Sequence, residues 1–160
     1  MELIYRVEAA LADPTSVGLV SGGARLDVPF EGRITGGLLA GGVVRGVDYV
    51  IQGPNGVAAV EARDAFELPG GGVLYAHARG YSVPPPGVEM PAVEKLLDPD
   101  HEPPDVWTSI RAFALCETVA PEFAWLNHTL VSVEGRLNGA AGELVFEGRA
   151  VPHDDLGPRG

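Results

Sequence analysis

Apolar and polar residues alternate along most of this chain, in short runs broken by glycine and proline. Alternation with period two puts successive side chains on opposite faces of an extended strand. Leu3, Tyr5, Val7, Ala9 and Leu11 share one face against Glu2, Arg6 and Glu8, so a first strand has one apolar and one wetter side. Asp13-Pro14-Thr15 ends it. Further strands are predicted over 24–30 and 42–51, inside a glycine-heavy stretch from Gly18 to Gly56. That stretch closes on Gly53-Pro54-Asn55-Gly56, where proline presets φ and Asn-Gly accepts positive φ. The runs 57–68 and 73–83, joined by Pro69-Gly70-Gly71-Gly72, read as a hairpin. Strands over 107–117, 126–137 and 143–151 complete the set, with an Asn138-Gly139 turn between the last two. About eight strands joined mostly by hairpin-length links predict an all-β chain, folded as a single antiparallel closed barrel.

One segment breaks this rhythm. Residues 82–105 carry Pro84-Pro85-Pro86, Pro91, Pro99, Pro103 and Pro104, which exclude them from a sheet. Pro91 to Leu97 permits a short helix, with proline at its first position. A loop of this length serves as a lid or binding loop, or else as a surface excursion or oligomer contact. The barrel domain is thus expected over 1–151, followed by a loose tail over 152–160.

Composition agrees with this reading and narrows the partners. Gly 22 and Pro 14 supply the turns, while 46% hydrophobic residues exclude wholesale disorder. The formal net charge of −11 argues against nucleic acid or an anionic membrane as a partner. No apolar run is long enough to span a bilayer, and the N-terminal residues lack the features of a signal peptide. The single cysteine, Cys116, fits a reducing cytoplasm and reads as a buried, inert thiol.

No nucleophile elbow, Walker loop or dinucleotide fingerprint is present, and the four histidines show no metal-ligand spacing. Neither a cofactor nor a metal is therefore expected, and 98–102 reads as a solvated acidic loop. The faces of the strands are more informative. Glu61 and Arg63 share one face of 57–68, and Tyr75, His77 and Arg79 share one face of 73–83. Either these faces form a solvated outer wall, or they point into a cavity where charges, an imidazole and phenols perform acid–base work. Arg111 stands between apolar neighbours, where it either binds an anionic or carbonyl group or pairs with a carboxylate such as Asp48 or Glu61. Ala112, Ala114 and Cys116 form the apolar face opposite Arg111 and suit a contact in a homodimer or larger homo-oligomer.

Taken together, these segments resemble the bacterial family called domain of unknown function 3237, a calycin-like β-barrel family. The match rests on Gly23 to Pro29 leading to Gly46-Val47-Asp48-Tyr49, on Glu61-Ala62-Arg63 and its following hairpin, and on Arg111, Glu117-Thr118, Pro121 and Ala124-Trp125-Leu126-Asn127. The resemblance implies a closed barrel with a ligand-sized cavity, into which Arg63, Arg111 and Asn127 point. On that basis Asp48, Arg63, His77 and Arg111 are the candidate catalytic residues. Tyr5, Glu61, Tyr75, Trp125 and Asn127 are the candidate substrate contacts. The expected function is a cofactor-independent cyclase, isomerase or lyase for a carbonyl-bearing, largely apolar small molecule. The alternatives are a non-catalytic small-molecule-binding barrel and a filled structural module.

Overall fold

A computed structural model describes residues 1–153, so the predicted tail from Asp154 onward lies outside the described residues. The strands are β1 (Leu3–Leu11), β2 (Thr15–Val20), β3 (Gly23–Gly36), β4 (Val43–Gln52), β5 (Ala58–Glu67), β6 (Val73–Val83), β7 (Thr108–Thr118), β8 (Val131–Asn138) and β9 (Glu143–Ala150). From β3 to β9 each strand pairs antiparallel with the next. β1 pairs with β9 on one side and with the second half of β3 on the other, which closes an eight-stranded barrel. β2 lies outside this ring and pairs with the first half of β3.

Two expectations about local structure are corrected. β2 is absent from the sequence reading because nearly all its residues are exposed, so it carries no apolar–polar alternation. The strand expected from 126 begins only at Val131, because Pro121–His128 forms a 3-10 helix with Pro121 in its first turn. Helix is therefore not confined to the 91–97 region, where a five-residue 3-10 helix, Val93–Leu97, does form.

Alternation sorts the strands into an apolar inside and a charged outside. One end of the barrel is packed solid. The Tyr5 ring lies 4.7 Å from Phe66 and meets Phe146 edge-on at 5.8 Å, with Ile4, Leu39, Leu74 and Leu126 fully buried nearby. Toward the other end the inward positions of β6 and β7 are small: Ala76, Ala78, Gly80, Ala112 and Ala114. Leu26, Val28, Val50, Ala62 and Gly80 face inward there yet remain partly accessible. Small side chains thus leave a lumen at this end, with a partly accessible wall. Because Ala112, Ala114 and Cys116 line it, they are not the oligomer contact that the sequence suggests.

The proline-rich loop, 84–107, leaves β6 and re-enters β7 at this same open end, and a buried Ser82–Thr108 hydroxyl hydrogen bond of 3.0 Å ties its stem. Its Met90 packs on Gly56 in the β4–β5 turn, and its 3-10 helix packs on β2 and β3. Pro103 then touches Gly139, and Asp105 accepts a 2.8 Å hydrogen bond from Asn138 at the β8–β9 turn. Points on both sides of the stem are thereby bridged. The loop lies across the mouth of the barrel.

Candidate active site in the barrel lumen

Two carboxyl groups enter the lumen from neighbouring strands. Asp48 on β4 is paired with Ala62 on β5, and Asp64, two residues further along β5, is paired with Gly46. Both side chains therefore point inward, diagonally across one strand pair. Asp64 is only 4% exposed, and its Oδ1 has no hydrogen-bond partner. Asp48 Oδ1 and Gln52 Nε2, on the same inward row of β4, are likewise buried without partners. Such groups are costly to bury without a protein partner.

Gly46 makes the niche for Asp64. A Cβ at this position would fall 2.5 Å from Asp64 Oδ1 and 2.7 Å from the Phe30 ring. Gly148 does the same for Tyr5, since its Cβ would collide with the phenol ring. Tyr5 and Cys116 stand within electrostatic reach of Asp64.

The environments of these groups separate their proton affinities. Burial pushes the Asp48 carboxyl up to about 6, against a smaller opposing pull from the Glu61 backbone amide. Burial pushes Asp64 further, to about 8, and the neighbouring Asp48 charge adds to the shift. At neutral pH one carboxyl is then mostly ionised and the other mostly protonated. Burial first, then the Asp64 charge, raises the Cys116 thiol to about 11, so it is no nucleophile. Burial also raises the Tyr5 phenol well above its usual range, leaving it a neutral hydroxyl.

The other residues singled out in the sequence come together elsewhere. Glu61, Arg63, Tyr75 and His77 form one cluster, but on the outer wall. Glu61 accepts hydrogen bonds from His77 Nε2 at 3.0 Å and Arg63 Nη2 at 3.4 Å. The His77 bond foremost, then Arg63, holds the Glu61 carboxyl below its ordinary range. Arg111 also faces outward, where it pairs with Glu134 and not with Asp48 or Glu61. Side-chain exposures of 51% for Arg63 and 66% for Arg111 correct the expectation that both enter the cavity. Inward positions on β5 and β7 belong to the apolar row, and each arginine lies on the opposite row. Asn127 is corrected too: it bridges the backbone N–H and C=O of Thr118, at 2.7 and 2.9 Å, and so fastens the second 3-10 helix. Trp125 is exposed on that helix. Only Asp48 and Tyr5 of the residues chosen from sequence line the interior.

Asp64 and Gln52 escaped the sequence reading, although Asp64 carried a signal. It is the one acid on the row of Ala58, Val60, Ala62, Phe66 and Leu68. A groove of about 460 Å³ on the outer wall between β7 and β1 includes Arg6, Arg111, Arg136, Glu134 and Glu147. Its charges satisfy one another, through Arg6–Glu147, Arg111–Glu134 and Arg136 stacked over Trp107 at 4.6 Å. It offers less chemistry than the lumen. Among the described residues no group of histidine, cysteine and acidic side chains is arranged to hold a metal.

Residues 1–148 match the model of a family described as protein of unknown function (DUF3237). The chain belongs to this family. It is 30% identical over 125 residues to a UPF0311 protein of Rhodopseudomonas palustris strain TIE-1, covering 77% of this chain and 78% of that one. The crystal structure of a conserved protein of unknown function from the same species is 27% identical, with a TM-score of 0.67 over 94% of this chain and 96% of that one. Two further crystal structures share the fold at lower identity. A protein of unknown function from Clostridium acetobutylicum has a TM-score of 0.74 at 19% identity, over 94% of this chain and 98% of that one. A β-barrel like protein from Acinetobacter baumannii has 0.70 at 20%, over 94% of each chain. No helix among the described residues is long and apolar enough to cross a membrane.

Proposed function

We propose that this DUF3237 barrel is a cofactor-independent acid–base enzyme that moves protons on a small carbonyl compound held in its lumen. The observation that carries this reading is the pair of inward carboxyls, Asp48 and Asp64, each with one buried oxygen free of protein partners, whose surroundings push their proton affinities apart. Two titratable groups separated in this way assign the base and the acid. Asp48, as carboxylate, removes the proton from the carbon beside the carbonyl. The C–H pair becomes the C=C bond, and the carbonyl π pair moves to oxygen, which takes a hydrogen bond or the proton from Asp64. Where the substrate carries a C=C bond one carbon further on, Asp48 returns the proton to the far end of the dienol, Asp64 regains its own, and the conjugated isomer results. Where it carries a second carbonyl, the enol carbon attacks that carbonyl carbon to close a ring, the new alkoxide takes the proton from Asp48, and the enol O–H returns its proton to Asp64.

The test uses a panel of small ketones in D2O, with mass spectrometry reading deuterium gained beside the carbonyl. The parent is expected to accelerate exchange of at least one ketone. Asp48→Asn is expected to lower that rate by about 100-fold or more, the usual weight of a general base. Exchange that is equal in the parent and in folded Asp48→Asn would contradict the reading. A non-catalytic binding barrel is the second reading, favoured by the alanine and valine lining, and it predicts ketone binding without exchange.

The outer wall supports self-association. Tyr81, Phe113 and Leu115 are 61, 57 and 64% exposed on β6 and β7, beside Arg79, Arg111, Glu117 and Glu134. Aromatic residues rimmed by arginine and acids of both signs suit a two-fold contact between copies. Phe113→Glu is expected to shift the sedimentation coefficient from dimer to monomer. A parent that sediments only as monomer at high concentration would refute the contact.

A further inference from the structure

We propose that the lumen selects its ligands by charge, admitting neutral and cationic small molecules and rejecting carboxylates, phosphates and other anions. This inference rests on the reading of the lumen as the ligand site and names the substrate class that site takes.

The argument begins with the sequence pattern. Each arginine of β1 and β3–β9 lies on the outward row of its strand, where partners such as Glu147, Glu67 and Glu134 meet Arg6, Arg45 and Arg111. No arginine, lysine or histidine occupies an inward position on any of these eight strands. Among the described residues of these strands, the only charged side chains that turn inward are Asp48 and Asp64. Both hold an oxygen with no partner, and Asp64 is all but fully buried. An anion entering this space would lose its hydration, meet no counter-ion on the barrel wall and face at least one carboxylate. Like charges brought together in a desolvated site repel strongly. A neutral carbonyl oxygen instead finds the proton of Asp64, and an ammonium group finds the carboxylate of Asp48. Inward-pointing arginines would have selected the opposite class. Because they stand on the outer wall, the selection reverses.

Three probes of similar size separate the classes: 4-phenyl-2-butanone, 3-phenylpropanoate and 3-phenylpropylammonium. Binding to the full chain is followed at pH 7.5 by shifts of the 13C-labelled methyls of Ala62, Ala78 and Ala114, which line the lumen. The ketone and the ammonium compound are expected to move these signals, with the carboxylate on the order of a hundredfold weaker. Asp48→Asn is expected to recover carboxylate binding at least tenfold, which identifies charge rather than size as the barrier. If that variant fails to fold, the parent is probed at pH 5 with 2-phenylethanesulfonate, which stays anionic where Asp48 is mostly protonated, and is expected to bind it at least tenfold more tightly than at pH 7.5. Carboxylate binding as tight as that of the ketone in the parent would overturn charge selection while leaving the deuterium-exchange result intact. Ketone binding without deuterium exchange would refute the enzyme reading and leave charge selection standing. If no probe moves the alanine methyls, the lumen is not the ligand site and both readings fall.

Discussion

At the scale of single residues, the protein keeps two acids where its pattern otherwise demands hydrocarbon. Asp64 follows from β5 as surely as Val60 and Phe66 do, because all three lie on one row of an alternating strand. That row was legible, and so was the inward position of Tyr5 on the apolar face of β1. The inward turn of Asp48 was not, because β4 carries valine on both rows and a polar or charged residue on each, so its alternation is weak. Asp64→Asn is expected to stabilise the barrel at pH 8, where the parent must bury a charge or hold a proton against the solvent, and to change little at pH 4. Thermal unfolding at the two pH values measures this difference. Gly46→Ala is expected to destabilise by about 1–3 kcal/mol, the usual cost of overpacking, by driving a methyl into Asp64 and Phe30. Denaturant unfolding of that variant checks the close approach.

At the scale of elements, strand identity was legible wherever one face is buried and the other wet, as in β5, β6, β7 and β9. Legibility failed where that contrast is missing. β2 is wet on both faces, and Pro121–His128 is a 3-10 helix whose sequence carries no clear period. The direction of the charged faces was the harder matter, since period two separates two rows without saying which is inside. Glu61, Arg63 and His77 were a coherent cluster in either case, and burial of the alanine rows decides against them. The loop 84–107 was visible as an excursion, but its path over the mouth depends on contacts with Gly56 and Gly139 far away in sequence. Asn138→Ala removes the bond to Asp105 and is expected to loosen the loop. Faster amide exchange within 84–107, with β7 unchanged, is the expected result.

At the scale of the whole molecule, the eight-stranded ring closes on itself, only the added β2 keeps a free edge, and the inside becomes a compartment with its own charge. That compartment makes stability depend on pH in a definite direction. Asp48 and Asp64 have folded-state affinities near 6 and 8, above the ordinary 3.8, so between those limits the folded chain binds more protons than the unfolded chain. Stability therefore falls as pH rises from about 4 to 8, at up to about 1.4 kcal/mol per unit for each group still protonated only when folded. The half-buried Glu61 and Glu147 on the outer wall, whose affinities are lowered, favour folding above their unfolded range and lose that contribution as pH falls through their folded values. Urea unfolding across this range is expected to be most resistant on the acid side of neutrality, near pH 5.

The central claim is that the lumen holds two carboxyls with unequal proton affinities, and carboxyl-detected NMR titration of 13C-labelled aspartate tests it most directly. The account predicts one lumenal aspartate titrating near pH 6 and another near pH 8, assigned by their loss in Asp48→Asn and Asp64→Asn. It also predicts that Asp48→Asn lowers the midpoint of Asp64, because the charge that helps to raise it has been removed. Titration of both residues near pH 4, each indifferent to loss of the other, would contradict the account.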